Sequence, residues 1–438
     1  ELEEVVAIGY GTQRRRDITG SISSARSEDL ELESVNSPDE AMQGKLSGVN
    51  VFAGSHKPGG GISVKVRGSA SISAGGSPLY VIDGMPISET QGGGLGGGRS
   101  GNNPLMTLDP SNIESMQVLK GASATAIYGS RGASGVVLIT TKEGQAGEGQ
   151  INYQGSMSFA RPTKQLDLLN AKEHARLLNE MTAIKGQEPM FSDSEISAMD
   201  EGTDWQEAIF RDPATSQKHN LTFSGGSDDI QYLVGAGVTD KQGIVVNSGL
   251  TRYSGQINLN AQITDRLSVD ENLQITHTSQ NEAITGSKGY GSQGNLIVNI
   301  LDASPTMPIY NESGDYMMPY NHRTGGMTFD NPVFKAREYV LDHNITDIKG
   351  NVQLTYNLLE GLDFQTSFGL QNKSGEDGTY YPINSVRARP YAGSASIGRD
   401  KTMKITNDNL LKYNNTFGEV HDLDVTAGYT YEQEDVNW

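Results

Sequence analysis

The chain of 438 residues contains no cysteine. Disulfide staples and thiolate metal sites are therefore excluded, and an oxidising compartment suits the chain as well as a reducing one. Positive charge is scarce. Lys and Arg number 34 against 53 Asp and Glu, a formal net charge of −19. No basic stripe offsets this balance, so nucleic acid is not an expected partner. Long apolar runs are missing too: a membrane-spanning helix needs about 20 such residues. That excludes a helical span only, because barrel strands carry a weaker, alternating signal. The seven histidines are scattered and no pair has HExxH spacing. Neither a Gly-x-Ser-x-Gly elbow nor an EF-hand loop occurs. The chain is expected to be no enzyme and to hold neither metal nor cofactor.

What is present divides into two textures. Up to about residue 148 the pattern mixes short strands and helices. Ser37-Pro38-Asp39-Glu40 predicts a helix start, with Ser37 as cap, Pro38 in the first turn and Glu40 closing a capping box. Ile62, Val64 and Val66 alternate as a strand. Leu79–Ile82 predicts a short apolar strand turning at Asp83-Gly84. Asp109-Pro110 opens a further helical or turn segment, and Gly135–Thr141 reads as a buried strand. The run GGGLGGG at Gly92–Gly98 lacks the Lys-Ser/Thr ending of a phosphate loop and is expected to be a connector.

After Gly149 the chain turns into long alternating strands, nine by count. In the fourth, Tyr253, Gly255, Ile257, Leu259, Ala261 and Ile263 share one face, and Ser254, Gln256, Asn258, Asn260 and Gln262 share the other. Strands of roughly 9–13 residues match a tilted membrane strand of about 9–11 better than the usual sandwich strand of about 5–6. The links alternate. Gly226–Asp229, Thr264–Arg266, Glu360–Gly361 and Glu419–Asp422 are short; Arg161–Ser216, Ser279–Asn344 and Gly375–Lys401 are long. Only the link near Asp240–Ser248 is brief where a long one is expected. Short turns on one side and long loops on the other are the pattern of an outer-membrane barrel.

Four motifs carry a family resemblance: LEEVVAIGYGTQ at Leu2–Gln13, KVRGSASI at Lys65–Ile72, SPLYVIDGMPI at Ser77–Ile87, and DPSNIESMQVLKGASATAIYGSRGASGVVLITTKEG at Asp109–Gly144. In this order they resemble the plug-to-barrel junction of TonB-dependent outer-membrane transporters, above all the SusC/RagA branch, whose members import glycans or peptides. The fold implied is mainly β: a transmembrane antiparallel β-barrel preceded by a small α/β plug. Residues 1–15 would be a TonB-box segment, 16–148 the plug and 149–438 the first part of the barrel. Plugged barrels have about 22 strands, so nine strands predict an N-terminal fragment of a longer protein.

The resemblance also implies partners and sites. Glu3, Glu4, Val5, Val6, Ala7 and Ile8 resemble a TonB box, a β-prone segment that TonB can pair with and pull. The alternative is an ordinary edge strand of the plug. A SusD-like surface lipoprotein would act as lid, in a possible dimer of receptor–lid pairs, with outer-membrane lipid around the barrel. The plug apex faces the cargo cavity in this family, so Gln91, Arg99, Asn102 and Asn103 are candidate substrate contacts or simply part of a connector. Tyr316, Tyr320, Tyr380 and Tyr381 are candidates from the aromatic-rich loops, since flat rings with polar tips suit sugars, peptides or loop packing alike. Arg67, Asp83 and Arg131, with Lys142, stand in the plug motifs and would lock or gate the plug through charge pairs. The expected function is TonB-dependent import of oligosaccharides across the cell outer membrane. The alternatives are a RagA-like peptide importer and a passive porin or adhesin.

Overall fold

The computed structural model describes residues 5–8, 11–14, 22–30, 37–53, 57–60, 62–66, 77–87, 104–121, 125–283, 295–319, 323, 329–417 and 421–438. The first strands, β1 (Val5–Ile8) and β2 (Gly11–Arg14), form a hairpin of their own, with Val5 opposite Arg14 and Ile8 opposite Gly11. They are not paired with the sheet that follows.

That sheet builds the plug. Its strands are β3 (Ile22–Arg26), β6 (Leu79–Ile82), β7 (Met85–Pro86), β8 (Ile113–Leu119) and β9 (Val136–Thr141), in the order β3-β8-β9-β6-β7. A separate ribbon pairs β4 (Val49–Ala53) with β5 (Ile62–Val66). β6 and β7 are joined by Asp83 and Gly84 alone, both at positive φ, 46° and 81°. A two-residue turn of this hand needs residues that tolerate the left-handed region, and Asp-Gly supplies them. The expected helix at Pro38 exists but spans one turn, Pro38–Ala41. Its capping box does not form, because the Ser37 hydroxyl makes no cap bond. The buried Asp39 instead accepts from the Tyr80 hydroxyl at 3.2 Å.

The plug core is self-contained. Met42, Leu46, Val64, Val66, Leu105, Ile113, Met116, Val137 and Ile139 pack together, and a second group joins Val81, Leu119, Tyr128, Val136 and Leu138. Among the described residues none beyond Ile139 belongs to either group.

The wall is one sheet of nine antiparallel strands in sequence order. They are β10 (Gly147–Ala160), β11 (Ala214–Gly226), β12 (Ile230–Gln242), β13 (Gly249–Thr264), β14 (Leu267–Asn281), β15 (Val340–Leu359), β16 (Leu362–Tyr381), β17 (Ser394–Phe417) and β18 (His421–Asn437). The count and the alternation of links are as expected; the lengths are not. β10 has 14 residues, β15 and β16 have 20 each and β17 has 24. The long link expected over Gly375–Lys401 shrinks accordingly, since Tyr381 still pairs with Ser394. Polar residues keep period two beyond the apolar belt, so backbone pairing continues where apolar periodicity has ended.

The wall has its burial inverted. On β13, Tyr253 is 53% exposed and Ile257 44%, whereas their neighbours Arg252 and Asn258 are 2% and 5% exposed. On β14, Ile275 is exposed between buried Gln274 and Thr276. Apolar side chains out and polar side chains in is the reverse of a water-soluble sandwich and the arrangement of a wall between lipid and a polar lumen. Among the described residues no helix is long and apolar enough to cross a membrane.

The outer links carry their own structure. Helices Trp205–Ile209, Leu296–Asp302 and Pro332–Glu338 share one apolar core, with Met307 and Phe329 at its centre. Helices Ala171–Ile184 and Asp193–Ala198 pack through Ala175, Leu178, Phe191 and Ile196.

Candidate functional site: the seam between plug and wall

The plug meets the inward face of the wall mainly through polar side chains. One node is Asp109, 2% exposed, at the start of the short helix Pro110–Asn112. It accepts from the Ser111 backbone N–H at 3.0 Å and from the Ser111 hydroxyl at 2.5 Å. Its other oxygen accepts from the Ser254 hydroxyl of β13 at 3.1 Å. Arg252 Nη2 stands 3.7 Å away and Lys218 Nζ 4.0 Å. Burial by itself would raise this carboxyl. The Arg252 and Lys218 charges, with the Ser111 bonds, outweigh it and hold Asp109 down at about 2. Arg252 also donates to the Leu108 carbonyl at 3.3 Å. Alongside, Asn220 of β11 donates to the Ser111 hydroxyl at 2.7 Å.

A second node lies one turn back. The Thr107 hydroxyl donates to Asp347 of β15 at 2.7 Å. Lys349 is 3.1 Å from the same carboxylate, and Gln371 of β16 donates to it at 3.1 Å. Asp347 and Lys349 are 2% and 4% exposed. An ion pair so buried stabilises little by itself, yet removing one partner leaves a costly unpaired charge.

The third node is the Asp83 turn. Asp83 takes the Thr141 N–H and hydroxyl, both at 2.8 Å, so it first ties two plug strands together. Wall contact is longer: Gln274 reaches its carboxylate at 3.4 Å, and Asn272 reaches the Thr141 hydroxyl at 3.0 Å. Burial pushes the Asp83 carboxyl up to about 6; the Thr141 bonds oppose the rise and Glu143 adds to it.

Of the residues singled out in the sequence, Arg131 does reach the wall, with its Nη1 2.7 and 2.6 Å from the two Glu432 carboxylate oxygens; Lys404 lies 3.1 Å from the same group. Val5–Ile8 are in the β1–β2 hairpin. Glu3, Glu4, Arg67, Gln91, Arg99, Asn102, Asn103 and Tyr320 lie outside the described residues. Of the remaining tyrosines, Tyr316 and Tyr381 pack against one apolar cluster of Met318, Phe334 and Tyr339. Tyr316 donates to Glu338 at 3.0 Å and packs edge-on to Phe334. Partial burial, with the Glu338 bond, pushes its phenol up to about 12. Tyr381 lies edge-on to Tyr339 at 5.0 Å and carries the Arg387 guanidinium on its face at 4.4 Å. Tyr380 is exposed, on the same face of β16 as Phe364 and Phe368.

The Asp109–Arg252 and Thr107–Asp347 contacts were not anticipated. In the sequence Asp109 marks only the start of a helical or turn segment. Its polar partner Ser254 is 145 positions away, and Thr107 and Asp347 are separated by 240. Charges on the inward face of a wall strand, Arg252 by itself on β13 and Asp347 with Lys349 on β15, are the local sign of such a node.

Comparison with known proteins agrees with this architecture. Residues 14–136 match the TonB-dependent Receptor Plug Domain family. TonB-dependent receptor P3 of Formosa agariphila is 32% identical over 435 residues, covering 99% of this chain and 40% of the relative. TonB-dependent receptor SusC of Bacteroides thetaiotaomicron is 31% identical, covering 98% of this chain and 42% of its own length. The chain thus spans under half the length of the curated relatives it matches. The structure of the RagAB peptide importer in its open-open state superposes with a TM-score of 0.80 over 99% of this chain and 49% of that one, at 24% identity. The siderophore receptor PirA from Acinetobacter baumannii gives 0.58 at 14% identity, a likeness of fold alone. With a plug-family match, relatives aligned along nearly the whole chain and an inside-out wall around the plug, the chain is SusC/RagA-like, similar along nearly its whole length to TonB-dependent receptors.

Proposed function

We propose that the whole protein, of which this chain is a part, imports nutrient across the outer membrane with force delivered by TonB. One observation carries the reading: the plug has a closed apolar core and is held to the wall by hydrogen bonds and ion pairs. A plug so mounted can shift without tearing its own core. Each seam bond is worth a net ~0.5–1.5 kcal/mol, and water can replace it as the gap opens. Val5–Ile8 is the segment proposed for TonB, with Glu3 and Glu4 before it. It precedes the plug, is β-prone and, among the described residues, pairs with its own hairpin partner and not with the plug sheet, so strand exchange with TonB would leave that sheet intact. Arg67, Asp83 and Arg131 are proposed to set how firmly the plug is held.

The cargo we favour is an oligosaccharide, delivered beneath a SusD-like lipoprotein lid, in a dimer of receptor–lid pairs surrounded by lipid. The inward face is rich in amide and hydroxyl groups, among them Asn220, Gln256, Asn258, Gln274, Thr276 and Gln280. Such groups suit hydroxylated cargo, and peptide is the other cargo they accommodate. Gln91, Arg99, Asn102 and Asn103 would meet it from the plug. Tyr320 would meet it from the outer links, which Tyr316 and Tyr381 brace; Tyr380, on the outward face of β16, is not placed to do so. Deleting Glu3–Ile8 in the whole protein tests the mechanism. Uptake should be lost while surface binding persists; unchanged uptake would mean a passive pore.

A further inference from the structure

Four adjacent strands bring an unusual set of side chains together on the inward face, at the end of the sheet that carries the long links. Ser158 pairs across to Ser216, and Ser156 to Lys218. Ser216 pairs on to Lys241, Lys218 to Thr239, and Thr239 to Arg252. Because these are cross-strand partners, their side chains share one face. They line a recess of about 40 Å³. A water needs ~10–15 Å³ measured this way, so the recess takes about three water-sized atoms, the size of a carboxylate or the outer oxygens of a sulfate ester. Its floor, Arg252 and Thr239, is buried; its rim, Ser156 and Ser158, is exposed.

Charge distinguishes this recess in a protein of net charge −19. Three cations line it: Lys218, Lys241 and Arg252. Asp109 answers two of them from the plug, at 4.0 Å from Lys218 and 3.7 Å from Arg252. The acidic neighbour acting on Lys241 is the plug's Glu40. Among the described residues, these three cations and the two plug carboxylates meet in a partly desolvated place that hydroxyl groups also line. A cluster of partly buried cations beside hydroxyl donors favours an incoming anion. Both carboxylates belong to the plug, so any plug shift that draws them away would leave the cations to the lumen.

We propose that this recess is an anion seat, taking a carboxylate or sulfate ester borne by the cargo, so that the imported oligomer carries negative substituents. The proposal rests on the importer reading and narrows its cargo to oligomers that carry negative charge. Lys241 and Lys218 supply the charge, Ser156, Ser158 and Ser216 donate hydrogen bonds, and Arg252 sets the floor.

The test is calorimetry on the full-length receptor with its lid, using three matched oligosaccharides of equal length: neutral, uronic-acid and sulfated. A fourth probe is a peptide with a free carboxyl terminus, compared with its amide. At least one charged probe should bind about tenfold or more tighter than its neutral match, and the arm that responds names the source of the anion. Lys241→Gln should erase most of that preference while leaving the neutral oligomer's affinity as it was; Lys218→Gln, with melting recorded, guards against a folding defect. Equal affinity for charged and neutral probes, no binding by any of them, or a preference untouched in Lys241→Gln would each overturn the seat. Uptake that survives deletion of Glu3–Ile8 would overturn the importer instead and leave the binding comparison standing.

Discussion

The plug sheet and the wall sheet are both largely antiparallel, yet they bury opposite chemistry. β8 and β9 hide Ile113, Met116, Val137 and Ile139 between layers, as any water-soluble domain does. β13 hides Arg252, Gln256 and Asn258 and turns Tyr253, Ile257 and Ile263 outward. Strand geometry is common to the two; what differs is the solvent on the far side. The plug answers to water and so needs a core of its own. The wall faces lipid on one side, where apolar side chains cost nothing to expose and every backbone group must be paired within the sheet. Because each region satisfies its apolar surface separately, the contact between them is left to polar groups.

The largest effect expected on this comparison is at Asp109. Asp109→Ala leaves Arg252 buried beside an empty place and should destabilise plug seating by about 3–5 kcal/mol. Protease sensitivity of the plug in the otherwise folded barrel would read it; an unaltered plug would mean that the seam is not where holding strength lies. The same carboxyl has its folded value held at about 2 against a usual 3.8. Its contribution is therefore complete above pH 3.8 and is lost as pH falls through 2.

Next comes the outward face. Ile257→Lys should cost about 2–4 kcal/mol if the residue lies near the bilayer midplane, measured as folding yield into lipid vesicles. Indifference to that charge would break the inside-out assignment of β13.

Asp83 behaves with the opposite sign to Asp109. Its folded value is raised to about 6 from 3.8. The folded plug holds this proton more tightly than the unfolded chain does. The stabilisation from protonation is full below pH 3.8 and is lost as pH rises through about 6. Plug stability should therefore gain on acidification from pH 7 to 5, and Asp83→Asn should flatten that part of the profile. A wild-type profile already flat over this window would rule the effect out.

The smallest effect is at Arg131, whose side chain is 44% exposed in its pair with Glu432. Arg131→Ala should cost about 0.2–1 kcal/mol, within reach of a double-mutant cycle with Glu432→Gln. A coupling several times larger would make this pair a principal lock.

Much of the wall was legible from residues alone, because period-two alternation is a local property: Tyr253 to Ile263 reads as a lipid face without reference to any other strand. The Asp83-Gly84 turn and the Asp109 start were legible for the same reason, since turn chemistry is settled within a few residues. Ser37 stands at the helix start as its sequence predicts, but the capping box does not form, because such a box depends on side-chain rotamers that residue type alone does not fix. The outer tyrosines looked like one class in sequence; packing divided them, drawing Tyr316 and Tyr381 into the loop cores and leaving Tyr380 exposed.

By itself, then, the order of apolar and polar residues determined that a plug precedes a wall, how many strands the wall has here, and which face of each meets lipid. Only the tertiary structure decided which charge sits against which, how far β15, β16 and β17 run beyond the apolar belt, and that Lys218, Lys241 and Arg252 converge on one recess. The reason is separation along the chain. Alternation and turns involve neighbours, whereas Thr107 and Asp347 are 240 residues apart and Arg131 and Glu432 are 301 apart, and no local preference specifies a partner at such a distance.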